Sequence, residues 1–360
     1  MPEITLEPPR RSGQQFTSDY ALVLKQVQSQ GLLGRRYRFY AVKIIVLLAA
    51  FVGVWVGFAF LGDHWAQVAL AAALAVVTTQ ILFVSHEAAH KQIFGSHRAN
   101  DWTALLLGTG ICGISLTWWN TKHSRHHRSP NQIGSDPDIR PSILNFYPPD
   151  APPRTAVLRY LGRRQGWWFF PLLMAEGLNL HVHSVLAVLR RPTGPRRRRP
   201  TEVVLLAGRL GLYPVVLFVF LSPGIAGAFL GVQLAVTGLN LGSVFAASHI
   251  GMPIVPQDLR LDFLRRQILT SRNLSGGRLA SLATGGLNYQ IEHHLFPSMA
   301  RPHLPAARRL VRAACAEYQI DYSEVPIHRA WASVARHLNQ VGLAGATLAA
   351  CPTAATLRQN

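Results

Sequence analysis

A chain of 360 residues that is 49% hydrophobic and only 15% charged, with a mean hydropathy of +0.16, reads as a membrane protein rather than a pair of soluble domains. Its formal net charge of +19 comes without a nucleic-acid-binding motif and with the basic residues set between apolar runs, which argues against a nucleic-acid binder and for a basic face beside a membrane. Three cysteines without paired spacing, Cys112, Cys315 and Cys351, exclude a disulfide framework and a cysteine zinc site, and fit a reducing, cytosolic setting.

Met1 to Phe16 has prolines, charges and little periodicity, so it reads as a disordered tail. No cleavable signal is expected, because the first long apolar run begins too far along the chain. Ser18 is placed to cap an amphipathic helix, Asp19 to Gln30, that Gly31 ends and that would lie on the membrane surface. Residues 1–38 are therefore expected to form a cytosolic tail and amphipathic helix. Arg35, Arg36, Arg38 and Lys43 flank the start of an apolar run from Phe39 to Leu61, about the 20 residues a crossing needs. Gly62-Asp63-His64 is a tight turn and Trp65 to Val84 runs back, so residues 39–84 make a first transmembrane hairpin. The positive-inside rule puts the N-terminus in the cytosol and the Asp63 turn outside.

Residues 85–201 are expected on the cytosolic side. Within them Thr103 to Trp119 is apolar, glycine-rich and short for a span, which suggests a re-entrant or interfacial segment. Trp167 to Leu189 carries Glu176, Asn179, His181 and His183, costly at mid-bilayer, and is expected to be interfacial. Arg190 to Pro200, with four consecutive arginines from Arg196 to Arg199, is a cytosolic loop. Glu202 to Leu221 and Gly224 to Phe245, joined by the uncharged turn Ser222-Pro223-Gly224, form a second hairpin over residues 202–248. Residues 249–345 form a cytosolic cap and 346–360 a flexible tail. The expected fold is an all-α integral, multi-pass protein of the cell membrane, with about four transmembrane helices in two hairpins, both termini cytosolic, and a cytosolic helical cap.

The chain contains 15 histidines, and eight of them fall into a pattern. His86 and His90 in His-Glu-Ala-Ala-His are four residues apart, on one helical face. His123, His126 and His127 in Lys-His-Ser-Arg-His-His repeat at i, i+3, i+4, as do Gln290, His293 and His294 in Asn-Tyr-Gln-Ile-Glu-His-His-Leu-Phe-Pro, where Pro297 stops a short helix. His249 stands at the end of the last apolar run. His86-Glu87 and His90 also match a zinc-protease signature in which the glutamate is general base, so a membrane-embedded metalloprotease is a rival reading. One zinc needs three protein ligands, and this set would overfill it. The surplus suits two metals, and imidazole is compatible with iron.

At these residues the chain resembles the membrane-bound fatty acid desaturase family, with its HxxxH, HxxHH and (H/Q)xxHH boxes, from about Gln30 to Tyr322. The Gln-Ile-Glu-His-His form looks like the front-end and acyl-lipid branch and its bacterial relatives. The resemblance implies a non-haem di-iron centre, O₂ as oxidant, two external electrons and a fatty acyl substrate on coenzyme A, acyl carrier protein or lipid. Carried over by position, His86, His90, His123, His126, His127, His293 and His294 would be iron ligands and His249 an additional one. Gln290 would bind iron directly or through water. Related hydroxylases, epoxidases and acetylenases would use the same shell. No His-Pro-Gly-Gly stretch of an N-terminal haem domain occurs, so a ferredoxin or another separate donor is expected, its acidic surface docking on the arginine-rich cap. Asp136 and Asp138 either orient ligand imidazoles or make a turn. Trp118 and Trp119 either line an acyl tunnel or anchor the interface. His64, His97, His181, His183, His303, His328 and His337 join no set and are expected not to bind metal.

Overall fold

In the computed structural model, residues 13–148, 156–190 and 199–350 are described. The chain is largely helical, and its regular strands among these residues are two three-residue segments paired in parallel, β1 (Asn273–Ser275) and β2 (Glu324–Pro326). Four helices are long and apolar enough to cross a membrane: α2 (Tyr37–Leu61), α3 (Gln67–Ala89), α9 (Arg199–Phe220) and α10 (Pro223–His249). Such sequences form helices in a bilayer because only intrasegment hydrogen bonds satisfy their backbone there. α2 with α3, and α9 with α10, make two hairpins. Their turns meet, since the Ser222 amide donates to the Asp63 carboxylate at 2.8 Å. Below the turns, Phe58, Leu74, Leu217 and Phe229 pack into one buried cluster drawn from all four helices.

The two glycine- and polar-marked stretches are broken helices. α4 (His97–Ala104) runs into a π-helical segment, Leu105–Ile111, and then turns by 114° into α5 (Leu116–Arg128). Farther on come α6 (Ala156–Gly162), α7 (Gln165–Leu173) and α8 (Glu176–Leu189), the last two bent by 69°. Counting each bent pair as one span would raise the number of spans from four to six. Instead of one interfacial helix, Trp167 to Leu189 is thus two, because the chain bends at Met174 and Ala175. α8 crosses α10 closely: a Cβ on Gly177 would sit 2.2 Å from the Leu234 carbonyl oxygen, so glycine is required there.

The break after Ile111 exposes backbone groups that must find partners away from water. Arg209 of α9 donates to the Ile111 carbonyl at 2.6 Å. His181 meets the Cys112 carbonyl at 3.1 Å, and the Ser115 amide donates to the Ser184 hydroxyl at 2.9 Å. The start of α5 is held by Glu202, a buried residue of α9. Its carboxylate accepts from the Ser115 hydroxyl at 2.6 Å, the Thr117 amide at 3.0 Å and the Thr117 hydroxyl at 2.5 Å. Charge-assisted bonds at a helix N-terminus are among the stronger polar contacts. Replacing Glu202 by alanine is expected to cost about 3 kcal/mol, since buried donors lose a charged acceptor. Denaturation of the purified protein in detergent, compared with wild type, measures this.

The cap is built from α1 (Gly13–Ser29), α11 (Phe263–Leu269), a short α12 (Gly277–Ala283), α13 (Gln290–Leu295), α14 (Leu304–Glu317) and α15 (Ile327–Ala350). Three sequence expectations change here. The first helix starts at Gly13, so Ser18 lies inside it rather than capping it, no glycine or proline interrupting the stretch from Gln14 to Gln30. Its apolar side is covered by protein: Val23 and Val27 are buried with Leu264, Ile268, Leu304 and Val311. α15 continues to Ala350, past the expected frayed point at Gly345. Residues 1–12, most of the arginine loop at 191–198 and the tail 351–360 lie outside the described residues.

Candidate metal centre

Four helices deliver the eight patterned histidines to one place. α3 ends with His86 on its last turn and His90 at its C-cap. α5 carries His123, His126 and His127, α10 ends at His249, and α13 presents Gln290, His293 and His294. Six of the eight histidines are buried, and His90 and His127 are half-buried.

They divide into two groups. His86, His90, His123, His127 and His293 form one, and His126, His249 and His294 the other, with ligand atoms in each group within 4.8 Å of one another. In the first, His123 Nε2 lies 2.8 Å from His86 Nε2, 2.9 Å from His90 Nε2 and 3.0 Å from His127 Nε2. One imidazole nitrogen carries either one proton or one lone pair, so it cannot satisfy three such neighbours by hydrogen bonding. A cation among them can. Nitrogens bound to one ion at about 2.1 Å and at right angles to each other sit about 3.0 Å apart. In the second group His249 Nε2 is 3.3 Å from His126 Nε2 and 2.9 Å from the Gln290 amide nitrogen. His293 Nε2, His294 Nε2 and Gln290 Oε1 are buried without a hydrogen-bond partner. Rotating the Gln290 amide by half a turn would exchange its oxygen and nitrogen.

The second group also has its outward nitrogens anchored. His126 Nδ1 faces the Asp136 carboxylate at 3.0 Å, His249 Nδ1 the Thr270 carbonyl at 3.0 Å, and His294 Nδ1 the Gln267 amide oxygen at 2.9 Å. Each acceptor fixes the tautomer with Nδ1–H outward and Nε2 bare, the usual arrangement behind metal-binding histidines. Burial, reinforced by neighbouring imidazoles, pushes His293 and His294 well below the ordinary imidazole range, so both are neutral with lone pairs free. The donor set fits two cations of a metal that accepts neutral nitrogen ligands.

Both readings of Asp136 hold: it accepts from His126, and it also accepts from the Asn131 and Asp138 amides at 2.8 and 2.9 Å, making the turn. Asp138 lies 3.4 Å from His126 and is paired with Lys122 at 2.7 Å. Glu292, next to His293, is fully buried and accepts from Asn273 at 2.7 Å and Tyr322 at 2.8 Å, tying α13 to β1 and to the segment before β2. Burial pushes its carboxyl up to about 7, against those hydrogen bonds. Glu87, which a protease reading needs as general base, is engaged elsewhere, by Arg301 Nε at 2.6 Å and Lys43 Nζ at 3.6 Å. None of His64, His97, His181, His183, His303, His328 and His337 joins a three-ligand group among the described residues.

The histidine pattern does not single out Gln267, although its position carries a signal. Leu264, Gln267 and Ile268 form the buried face of α11, so an amide stands where the pattern calls for an apolar side chain. It joins the two groups, because its amide nitrogen donates to the His127 carbonyl at 3.0 Å while its oxygen holds His294. Gln267→Leu is expected to weaken metal binding at the three-histidine group by about 10–100-fold, whereas Gln267→Glu, which keeps an acceptor, binds nearer to wild type. A metal titration of the apo-protein distinguishes the two.

A cavity of about 950 Å³, in the range of small-molecule sites, opens beside the histidines. Lys122, Arg140, Glu176 and Asn179 are among its polar lining, and Leu173, Leu180 and Phe245 among its apolar lining; it also reaches His123, His126 and His249. A smaller apolar recess, lined by Phe83, Gly108, Ile114 and His86, shares Trp119, Leu180, Leu241 and Phe245 with it. Trp119 stacks against His123 with centroids 5.1 Å apart, and Trp118 lies parallel to His183 at 5.8 Å. Both tryptophans line the larger cavity, and Trp119 lines both.

Comparison with known proteins adds a family match. A family model described as fatty acid desaturase matches residues 63–326, well over half of the chain. A mouse protein named fatty acid desaturase 2-like protein FADS2B is 26% identical over 342 residues, covering 91% of this chain and 67% of its own. An acyl-lipid (9-3)-desaturase of Physcomitrium patens is 28% identical, covering 86% of this chain and 59% of its own. An acyl-lipid 8-desaturase of Rebecca salina is 29% identical, with 78% and 64% covered. The chain therefore spans about three fifths to two thirds of the length of these relatives.

Proposed function

Because the chain belongs to the fatty acid desaturase family, we propose that it is an O₂-dependent fatty acyl desaturase working with a non-haem two-iron centre and electrons from an external carrier such as a ferredoxin. The observation that carries this reading is the division of eight converging histidines into two groups, more donors than one ion can use. His86, His90, His123, His127 and His293 would hold one iron. His126, His249 and His294 would hold the other, with Gln290 bound directly or through water. When bound, iron supplies activation of O₂ for removing hydrogen from an unactivated C–H bond. Two hydrogens from the acyl chain, two external electrons and two protons balance the reduction of O₂ to two waters.

The protein's own part is positioning. Asp136, Thr270 and Gln267 hold three imidazoles in fixed tautomer and direction. Trp119, Leu180, Leu241 and Phe245 line both the larger, partly polar cavity and the apolar recess beside His86, an arrangement suited to an acyl chain whose carrier stays in the larger cavity. Apolar walls also keep bulk water from the reacting carbon. The site and both termini are assigned to the cytosol, supported by Arg35 and Arg36 before α2 and Arg38 in its first turn, and by the paired turns at Asp63 and Ser222 at the far end. Arg309 and Arg312, exposed on α14, offer an acidic electron carrier a complementary face.

Expression with a reductase system, followed by mass spectrometry of acyl products with double-bond localisation, tests the reading. New monounsaturated or polyunsaturated chains support it. Hydroxylated, epoxidised or acetylenic products would assign the same centre to a sister reaction, and peptide cleavage without acyl change would overturn it.

A further inference from the structure

Between β1 and the last histidine set, α12 has no buried residue at all. Leu279 is 80% exposed and Leu282 63%, and their i, i+3 spacing puts both on one face. A seven-residue helix with an uncovered leucine pair has little reason to persist in water. Its surroundings are not cap surface. The Gln80 amide of α3 donates to the Ala283 carbonyl at 3.3 Å, and Gly285 lies so close to Phe83 that a Cβ would sit 2.2 Å from the ring.

Those contacts fix a depth. Gln80 is seven residues, about 10 Å along the helix, farther toward the hairpin turn than Glu87, whose carboxylate lies 3.6 Å from Lys43. That charged pair, buried between α2 and α3, marks the cap end of the span. One turn beyond Gln80 on the same face of α3, Val76 is 50% exposed on a helix that is a candidate span, so the bilayer-facing surface of α3 runs straight onto α12. Arg278, exposed at the start of α12, is placed to extend its head group back toward the lipid phosphates.

We propose that α12 is a bilayer-inserted anchor, its Leu279–Leu282 face seated in lipid hydrocarbon about 5–10 Å below the head groups. Through Gly285 and Gly286, both at positive φ, it sets the depth of the segment carrying Gln290, His293 and His294 relative to the membrane.

Nitroxide accessibility in liposomes of phosphatidylcholine and phosphatidylglycerol tests this independently of any activity. Leu279→Cys and, separately, Leu282→Cys are spin-labelled in a Cys351→Ser background, Cys112 and Cys315 being buried. Val76→Cys serves as the lipid reference and Glu317→Cys, exposed on α14, as the aqueous one. The expected ratio of collisions with O₂ to those with a water-soluble nickel chelate at both leucine positions is close to that at Val76 and at least about tenfold above that at Glu317, as hydrocarbon insertion requires. A ratio like that at Glu317 overturns the proposal. Low collision with both reagents would mean that protein covers α12, a second copy or a partner, and overturns it equally.

Discussion

His123→Ala is expected to reduce acyl-product formation to less than about one-hundredth of wild type, because loss of an outer partner alone costs 10–100-fold at metal sites and His123 stands inside the cluster. Its Nε2 is the atom that three other imidazoles approach, at 2.8, 2.9 and 3.0 Å. Removing it should also lower metal content by about one ion per chain, since the two groups share no histidine. Product rate and metal content measured on the same preparation check both parts. Retention of two ions and of a tenth of the turnover would show that the five imidazoles do not act as one site.

The second large effect is expected at Gln290, which is 1% exposed, with its amide nitrogen 2.9 Å from His249 Nε2 and its oxygen unpartnered. Gln290→Ala should remove most turnover while leaving the fold intact, because a disturbed coordination shell affects rate far more than one hydrogen bond affects stability. Gln290→His is the sharper change. Its nitrogen sits on a shorter side chain and binds iron more strongly, so iron should be retained and activity lost. Full activity of both variants at matched iron content would reduce Gln290 to a packing residue.

Much of this architecture is legible because bilayer spans and helical histidine spacing are local patterns. The runs beginning near Phe39, Trp65, Glu202 and Gly224 correspond to α2, α3, α9 and α10, since apolar length and bounding turns decide where a span exists. The i, i+3, i+4 sets reveal which imidazoles share a face. They do not reveal how faces combine. His126 and His127 are adjacent in sequence yet belong to different groups, because the His127 ring meets His90 from the end of α3 while the His126 ring meets His249 from the end of α10, a fact of tertiary placement. Glu202 and Gln267 stay unmarked in the sequence for the same reason: a carboxylate near a span start and an amide in an apolar pattern acquire their meaning only when α5 and α13 arrive beside them. The break between α4 and α5 was legible as a glycine-rich, short apolar stretch, whereas the Arg209 contact that satisfies it lies 98 residues away. The start of α1 at Gly13 was obscured by Ser18, a good cap residue standing inside a helix whose apolar face is ordered by the cap.

Two separate histidine groups call for two metal ions per chain. Protein purified without chelator and reconstituted anaerobically with ferrous iron is analysed for iron and zinc per chain. This arrangement calls for close to two irons and little zinc, because eight imidazoles in two groups of five and three exceed the three-ligand shell of a catalytic zinc. One tightly held zinc with no iron would contradict it.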